Sequence, residues 1–339
     1  MKLASLKSGR DGKLVVVSKD LARMADASEI APTMQAAVDE WDMLAPQLRE
    51  LSAKLNRGVI EGEPFDQARC GAPFPRAFQW SSGMAYLNHL ELSRMARGSE
   101  MPNSFWTDPI MRQGCSDAVL GPRDAIEVER ADGWGVDFEA GLGAVLADTP
   151  AATTPDDARQ QILLLVLVND ITLRALVPGE IAKGAGFYQS KPGPAFSPCA
   201  VTPDELGIAW DGGRVHLPLY SKVNGLVFGK PNTGIDMTFD FPALIGHAAK
   251  TRNLCAGTII GSGPVSNAGL DGRAGEPVAD GGSGFSCIAE LRMVEAIETG
   301  QPITPFLTYG DRIEIEMLDA GGRSIFGRLD QRVAPYDPV

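Results

Sequence analysis

The sequence predicts an α+β protein in which short strands dominate. Three observations carry this. From Ala77 onward, apolar runs of strand length are separated by Gly and Pro turns. RVHLPLYSKVNGLVFG places Asn224-Gly225 between two strand patterns, the strongest short hairpin signal in the chain. No alternation of strand and helix of the βαβ kind runs through it.

Taken in order, KLVVVS at 13–18 is a short strand pattern. Met34, Val38, Trp41, Leu44, Leu48, Leu51 and Leu55 then recur at three and four residues, the stripe of a helix that buries one face. Packing explains that stripe better than a cofactor-binding surface does. The helix is expected to end near Asn56-Arg57-Gly58. GAPFPRAF at 71–78 reads as a linker, dividing a small N-terminal α/β domain, residues 1–70, from a large domain, residues 71–339. Within the large domain, 155–165 and 240–252 are the best helical segments. Arg312, Glu314 and Glu316 alternate with Ile313, Ile315 and Met317, the pattern of a half-buried strand with one wet face. There is no internal repeat and no low-complexity segment.

Composition bounds the function. A chain of 339 residues, 44% hydrophobic and 22% charged, can bury a full core. A formal net charge of −12 argues against a nucleic-acid partner. The sequence shows neither a signal-peptide pattern nor a run of about eighteen apolar residues, and its longest stretch, 162–168, stops at Asn169-Asp170. A soluble cytoplasmic protein with no membrane partner is expected. The cysteines, 70, 115, 199, 255 and 287, are odd in number, widely spread and free of CxxC pairs, so reduced and partly buried thiols are expected.

The chemistry concentrates between Val136 and Pro198. Asp137 and Glu139 stand two apart in VDFEAGLGAVL, so on a strand both carboxylates would leave one face. Like charges so close need a cation or a proton between them. Asp170 and Arg174 follow at the end of an apolar run, and Lys191 comes after the aromatic loop FYQS. Carboxylates converging with an Arg and a Lys describe a site for a hard divalent cation and an anionic, oxygen-rich small molecule.

The order E-x…N-D-x-x-x-R…K…SP, with AYLNHLE at 85–91, GTIIGSGPVSN at 257–267 and CIAEL at 287–291, resembles the fumarylacetoacetate hydrolase family over roughly residues 70–335. That resemblance implies a mixed β-sandwich roll behind a small N-terminal domain, and a homodimer. It implies Mg²⁺ or Ca²⁺ held by Glu139 and Asp170, with Asp137 as a partial substitute for the second Glu of the pair, whose place is taken by Gly141. It implies His89 as the base, oriented by Glu91 or by Glu290, and Asn88 where larger relatives place a metal-binding Asp. Lys191 is implied as oxyanion stabiliser and substrate ligand, with Arg174, Tyr188 and Ser262 as further substrate contacts. Val177 and Pro264 stand where relatives carry Gln and Thr. The implied activity is hydrolysis of a carbon–carbon bond in a 1,3-diketone or 2,4-dioxo acid, in the degradation of aromatic compounds. Decarboxylation, hydration or isomerisation of an oxo acid, or ligand binding without turnover at a weakened metal site, are the alternatives. On the residues alone, the Gly-rich segment at 257–267 is a strand connection, since it lacks the Lys-Ser/Thr of a phosphate loop.

Overall fold

The structure is a computed structural model and describes residues 1–269 and 275–337. The N-terminal part forms strands β1 (Lys2–Leu6), β2 (Lys13–Val17) and β3 (Arg23–Asp26), helices α1 (Met34–Asp39) and α2 (Trp41–Asn56), and the short β4 (Glu63–Pro64). The single helix expected over 34–55 is two. Thr33 caps α1 by accepting from the Ala36 N–H, and the chain breaks at Glu40, whose φ of −121° is not helical. Pro46, lacking an N–H, sits early in α2.

Next come β5 (Trp80–Gly83), α3 (Leu87–Met95), β6 (Met111–Gln113), β7 (Ile126–Val128), α4 (Ala131–Trp134), β8 (Val136–Asp137) and β9 (Ala140–Leu146). They are followed by α5 (Pro155–Ala158), β10 (Ile162–Asn169), β11 (Thr172–Leu173), α6 (Val177–Lys183), β12 (Ala195–Phe196) and β13 (Cys199–Val201). The helix expected over 155–165 is therefore a single turn ahead of a strand. ILLLVLVN is buried at all eight positions of β10, with Leu165 and Leu167 in one apolar cluster and Leu164, Val166 and Val168 in another. A strand covered on both faces shows a continuous apolar run without alternation, and periodicity alone cannot separate it from a helix.

The remaining elements are β14 (Leu219–Val223), β15 (Leu226–Gly229), α7 (Phe241–Ala248), β16 (Ile259–Gly261), α8 (Ile288–Thr299), β17 (Arg312–Met317) and β18 (Leu329–Pro335). The hairpin of β14 and β15 turns at Asn224 (φ 52°) and Gly225 (φ 83°), the left-handed pair that a two-residue turn demands. His216 lies ahead of this hairpin, half-exposed beside Asp211, and not in one of its strands. On β17 the expected wet face is only partly wet: Glu314 is buried, with Arg312 and Arg328 against its carboxylate.

An 11-stranded sheet runs β4-β3-β2-β1-β13-β10-β9-β16-β5-β6, with β12 also on β10. It is mixed, because β16 pairs with β5 in parallel and with β9 antiparallel. A second sheet of five strands, β15-β14-β17-β18-β7, and the pair β11-β8 complete the fold. One hydrogen-bonded sheet thus spans both segments that the linker divides, through β1 against β13. Its two faces carry separate apolar clusters. No helix of the described residues is long and apolar enough to cross a membrane.

Candidate active site

Helices α3 and α6, strands β5, β6 and β11, Glu139 just before β9 and the turn at Gly263-Pro264 meet around a cavity of about 270 Å³. Its wall includes His89, Arg112, Glu139, Arg174, Val177, Lys191 and Pro264, with Met84, Phe105, Ile110 and Phe187 supplying apolar surface. Arg94 of α3 and Arg97 just beyond its end also line it, so five cationic side chains face it against one acid. In a chain of net charge −12 that is a local reversal of sign, and it favours an anionic ligand.

One side of the cavity is an acid–base pair. His89 on α3 is buried, and its Nδ1 lies 2.6 Å from Oε2 of Glu290 in the first turn of α8. Glu290, 1% exposed, also accepts from Ser266 Oγ at 2.8 Å, and Ser266 accepts from Asn88 Nδ2 at 2.7 Å. The carboxylate thus has partners on both oxygens and leaves His89 Nε2 as the ring nitrogen that Glu290 does not engage. Glu91 lies half-buried two residues along α3 and does not bond His89; of the two acids considered, the imidazole is held by Glu290. Buried among Asp137, Glu290 and Glu139, the Cys287 thiol is pushed well above its ordinary pKa, burial being the larger cause, so it stands beside the pair as a neutral group.

The other side is a cluster of charges. Lys191 Nζ donates to Glu139 Oε2 at 2.8 Å and to the Asp170 carbonyl at 3.2 Å, and lies 3.4 Å from Asp170 Oδ2. Arg174 Nε donates to Asp137 Oδ2 at 2.8 Å, and its Nη2 is 2.7 Å from Glu139 Oε1. Arg112 on β6 donates through Nη2 to Asp170 Oδ2, while its Nη1 is buried with no partner among the described residues. Burial alone would raise the pKa of Glu139, but Lys191 and then Arg174 outweigh it and hold the carboxyl well below its usual range. Arg174 is raised in turn, Glu139 and Asp137 overcoming its burial. Lys191 is lowered, burial being the largest cause, with Asp170 and Glu139 opposing it.

Asp137 does not share the cavity face with Glu139. It is fully buried and accepts the N–H groups of Ile288 at 2.8 Å and Ala289 at 3.0 Å, capping α8 while it pairs with Arg174. The backbone leaves β8 after Asp137 and joins β9 only at Ala140, so simple strand alternation does not hold across this pair. Tyr188 is 87% exposed and off the wall, where its neighbour Phe187 stands instead. Ser262 is buried with its hydroxyl spent on the Leu142 N–H and the Gly263 carbonyl. Glu180 of α6 stands in no motif that would single it out. Its carboxylate accepts from the N–H groups of Tyr188, Gln189 and Ser190 and from Ser190 Oγ, fixing the turn that delivers Lys191. The Ser190 hydroxyl first, and then those N–H groups, hold its pKa at about 2.

The side chains present do not fit a hard divalent cation. Glu139 already has a cation on each oxygen, and Asp170 is paired with Arg112 and Lys191. Asp137 is turned to α8, and Asn88, which donates its Nδ2 to Ser266, brings no charge where a carboxylate would be needed. At Gly141 a Cβ would lie 2.4 Å from the Gly263 carbonyl oxygen, so the position has no room for a ligand side chain without movement of that loop.

Residues 79–334 match the family described as "Fumarylacetoacetate (FAA) hydrolase C-terminal", and residues 1–76 match "Fumarylacetoacetase N-terminal domain 2". A curated relative, the 2,4-didehydro-3-deoxy-L-rhamnonate hydrolase of Sphingomonas sp. (strain SKA58), is 27% identical over 62% of this chain and 68% of its own. The oxaloacetate tautomerase YisK of Bacillus subtilis is 23% identical over 76% of this chain and 84% of its own. Among solved structures, maleylpyruvate hydrolase from Sphingobium sp. SYK-6, in complex with manganese(II) and pyruvate, superposes with a TM-score of 0.62 at 17% identity, covering 99% of this chain and all of the other. The fumarylacetoacetate hydrolase of Exiguobacterium antarcticum gives 0.62 at 17% identity over 99% of this chain and all of its own.

Proposed function

Since this chain belongs to the fumarylacetoacetate hydrolase family, we propose that it is an enzyme that cleaves the carbon–carbon bond of a 2,4-dioxo acid with water. The observation that carries this reading is the buried His89–Glu290 pair on the wall of a cavity that also presents Arg112, Arg174 and Lys191. In this mechanism the substrate carboxylate and its adjacent oxo group lie against those cations. Glu290 holds the Nδ1 proton of His89, so that Nε2 takes a proton from water, and the imidazolium that forms is stabilised by the adjacent carboxylate. The hydroxide oxygen bonds to the distal carbonyl carbon, whose oxyanion is stabilised by nearby positive charge. When the tetrahedral adduct collapses, the bond between that carbon and the central carbon breaks. Its electron pair passes into the enolate of the 2-oxo acid, which Lys191 and the arginines neutralise, and the proton held by His89 returns to the central carbon. The products are a carboxylic acid and a 2-oxo acid.

A second reading uses the same pair to move a proton between the keto and enol forms of an oxo acid, with no water consumed. The similarity to an oxaloacetate tautomerase over 76% of the chain supports it. Both are tested on a panel of acylpyruvates, fumarylacetoacetate and oxaloacetate. Hydrolysis gives loss of diketone absorbance with stoichiometric 2-oxo acid and carboxylic acid. Tautomerisation gives keto–enol relaxation with no new product, and no change in either signal refutes both.

A further inference from the structure

We infer that this cavity carries its own cation: the Lys191 ammonium, flanked by Arg112 and Arg174, takes the position between Glu139 and Asp170 that a divalent ion would need, and the protein works without a metal. The inference concerns the cavity that the proposed reaction uses, but it does not depend on which reaction occurs there.

Four observations support it. Mg²⁺ and Ca²⁺ are held by about six to eight oxygens, with affinity set largely by the number of charged ones. The site offers two such carboxylates, Glu139 on the wall and Asp170 beside it, and both oxygens of Glu139 and Oδ2 of Asp170 are already engaged by Lys191, Arg174 and Arg112. The buried group also balances: three cations, Arg112, Arg174 and Lys191, meet three acids, Asp137, Glu139 and Asp170. A further divalent ion would leave two uncompensated positive charges in a site where Glu139 and Lys191 are 6% and 8% exposed, and buried unpaired charge is strongly unfavourable. Third, the strand position two after Glu139 is closed, because the Gly263 carbonyl occupies the space that a side chain at Gly141 would enter.

Lys191, finally, is held in place. Its ammonium has three donors, and three oxygens lie within reach, on Glu139 and Asp170. The turn before it is tied to Glu180 through the N–H groups of residues 188–190. A lysine so fixed is a built element of the site and not a loose side chain that an arriving ion would displace. Positive charge remains available to a ligand, because Arg94 and Arg97 also line the cavity and the buried Arg112 Nη1 has no partner among the described residues.

The test uses the full chain purified without chelator. Elemental analysis should find no stoichiometric Mg, Ca, Mn or Zn, and EDTA should leave Tm unmoved. Calorimetric titration should show no saturable Mn²⁺ binding tighter than about 10⁻³ M, the weak end of protein Ca²⁺ sites. Lys191→Met should free Glu139 Oε2, take one of two cations from Asp170 Oδ2, and tighten Mn²⁺ binding at least about tenfold, which corresponds to about 1.4 kcal/mol. Lys191→Gln serves as the second variant if the first fails to fold. Stoichiometric metal in the wild-type protein, whichever residues hold it, or a Tm lowered by EDTA, overturns the inference. So does a pair of folded Lys191 variants that bind Mn²⁺ no better than wild type. Turnover enters none of these readouts, so failure of the proposed reaction leaves them standing.

Discussion

Asp137→Asn removes one charge and almost no volume from a fully buried side chain, and its effect can be worked from the contacts. The carboxylate accepts two N–H groups at the start of α8 and the Nε of Arg174. An amide keeps one oxygen for the helix but leaves Arg174 facing only Glu139, which it shares with Lys191. Removing one partner of a buried ion pair costs roughly 3–5 kcal/mol, and the surviving Glu139 contact puts this case near the lower end, about 3 kcal/mol. Unfolding entropy of about 2.1 cal/mol/K per residue gives about 0.7 kcal/mol/K for a chain of 339 residues, so Tm should fall by about 4 °C. Differential scanning calorimetry at neutral pH, in the presence of EDTA, measures it. Turnover should drop as well, because the same N–H groups set the turn of α8 that carries Glu290. A Tm within about 1 °C of wild type would refute the argument that Asp137 acts as helix cap and counter-ion.

Three further outcomes are expected. His89→Ala and Glu290→Gln should each lower turnover by about 10²–10⁴-fold, the usual contribution of a general base, while Glu91→Gln should leave it near wild type; steady-state assays that rank the two acids the other way would move the dyad. Gly141→Glu, which on sequence grounds restores a ligand, should instead lower Tm and gain no Mn²⁺ affinity, because its Cβ meets a backbone carbonyl at 2.4 Å; tight Mn²⁺ binding by this variant would show that the 262–264 loop yields easily. Glu180 has a folded pKa depressed to about 2 from an ordinary 4.5, so the stability it contributes is complete above about 4.5 and is lost as pH falls towards 2. Hydrogen exchange at residues 188–190 should therefore accelerate through that window in the wild type, and a Glu180→Gln profile that falls as steeply would dismiss the linkage.

How far the sequence could be read depends on the range of the signal. The Asn224-Gly225 hairpin and helix α7 were legible because turn chemistry and helical periodicity are local. The Ile162–Asn169 strand was not fully legible, since a strand buried on both faces loses the alternation that identifies it. In the site, Glu139, Asp170, Arg174 and Lys191 could be chosen from one stretch of chain, and the structure brings them together. Arg112 could not be: it stands 58 residues before Asp170 in a three-residue strand, with no motif around it. Asp137 misled because the two-residue spacing assumed an unbroken strand, whereas the chain leaves one sheet and enters another between positions 137 and 140. The choice between Glu91 and Glu290 needed tertiary contact, for the partner of His89 lies 201 residues away.

The carbonyl of Gly263 behind Gly141 has a consequence for how the site can change. A Glu at position 141 is one substitution away on paper, yet the Gly263 carbonyl closes that route to a single change. A mutagenesis library at position 141 alone should return only glycine among functional clones, whatever metal the medium supplies. Side chains there become acceptable only after the 262–264 turn has first retreated from β9. The order of changes is thereby set, loop before ligand.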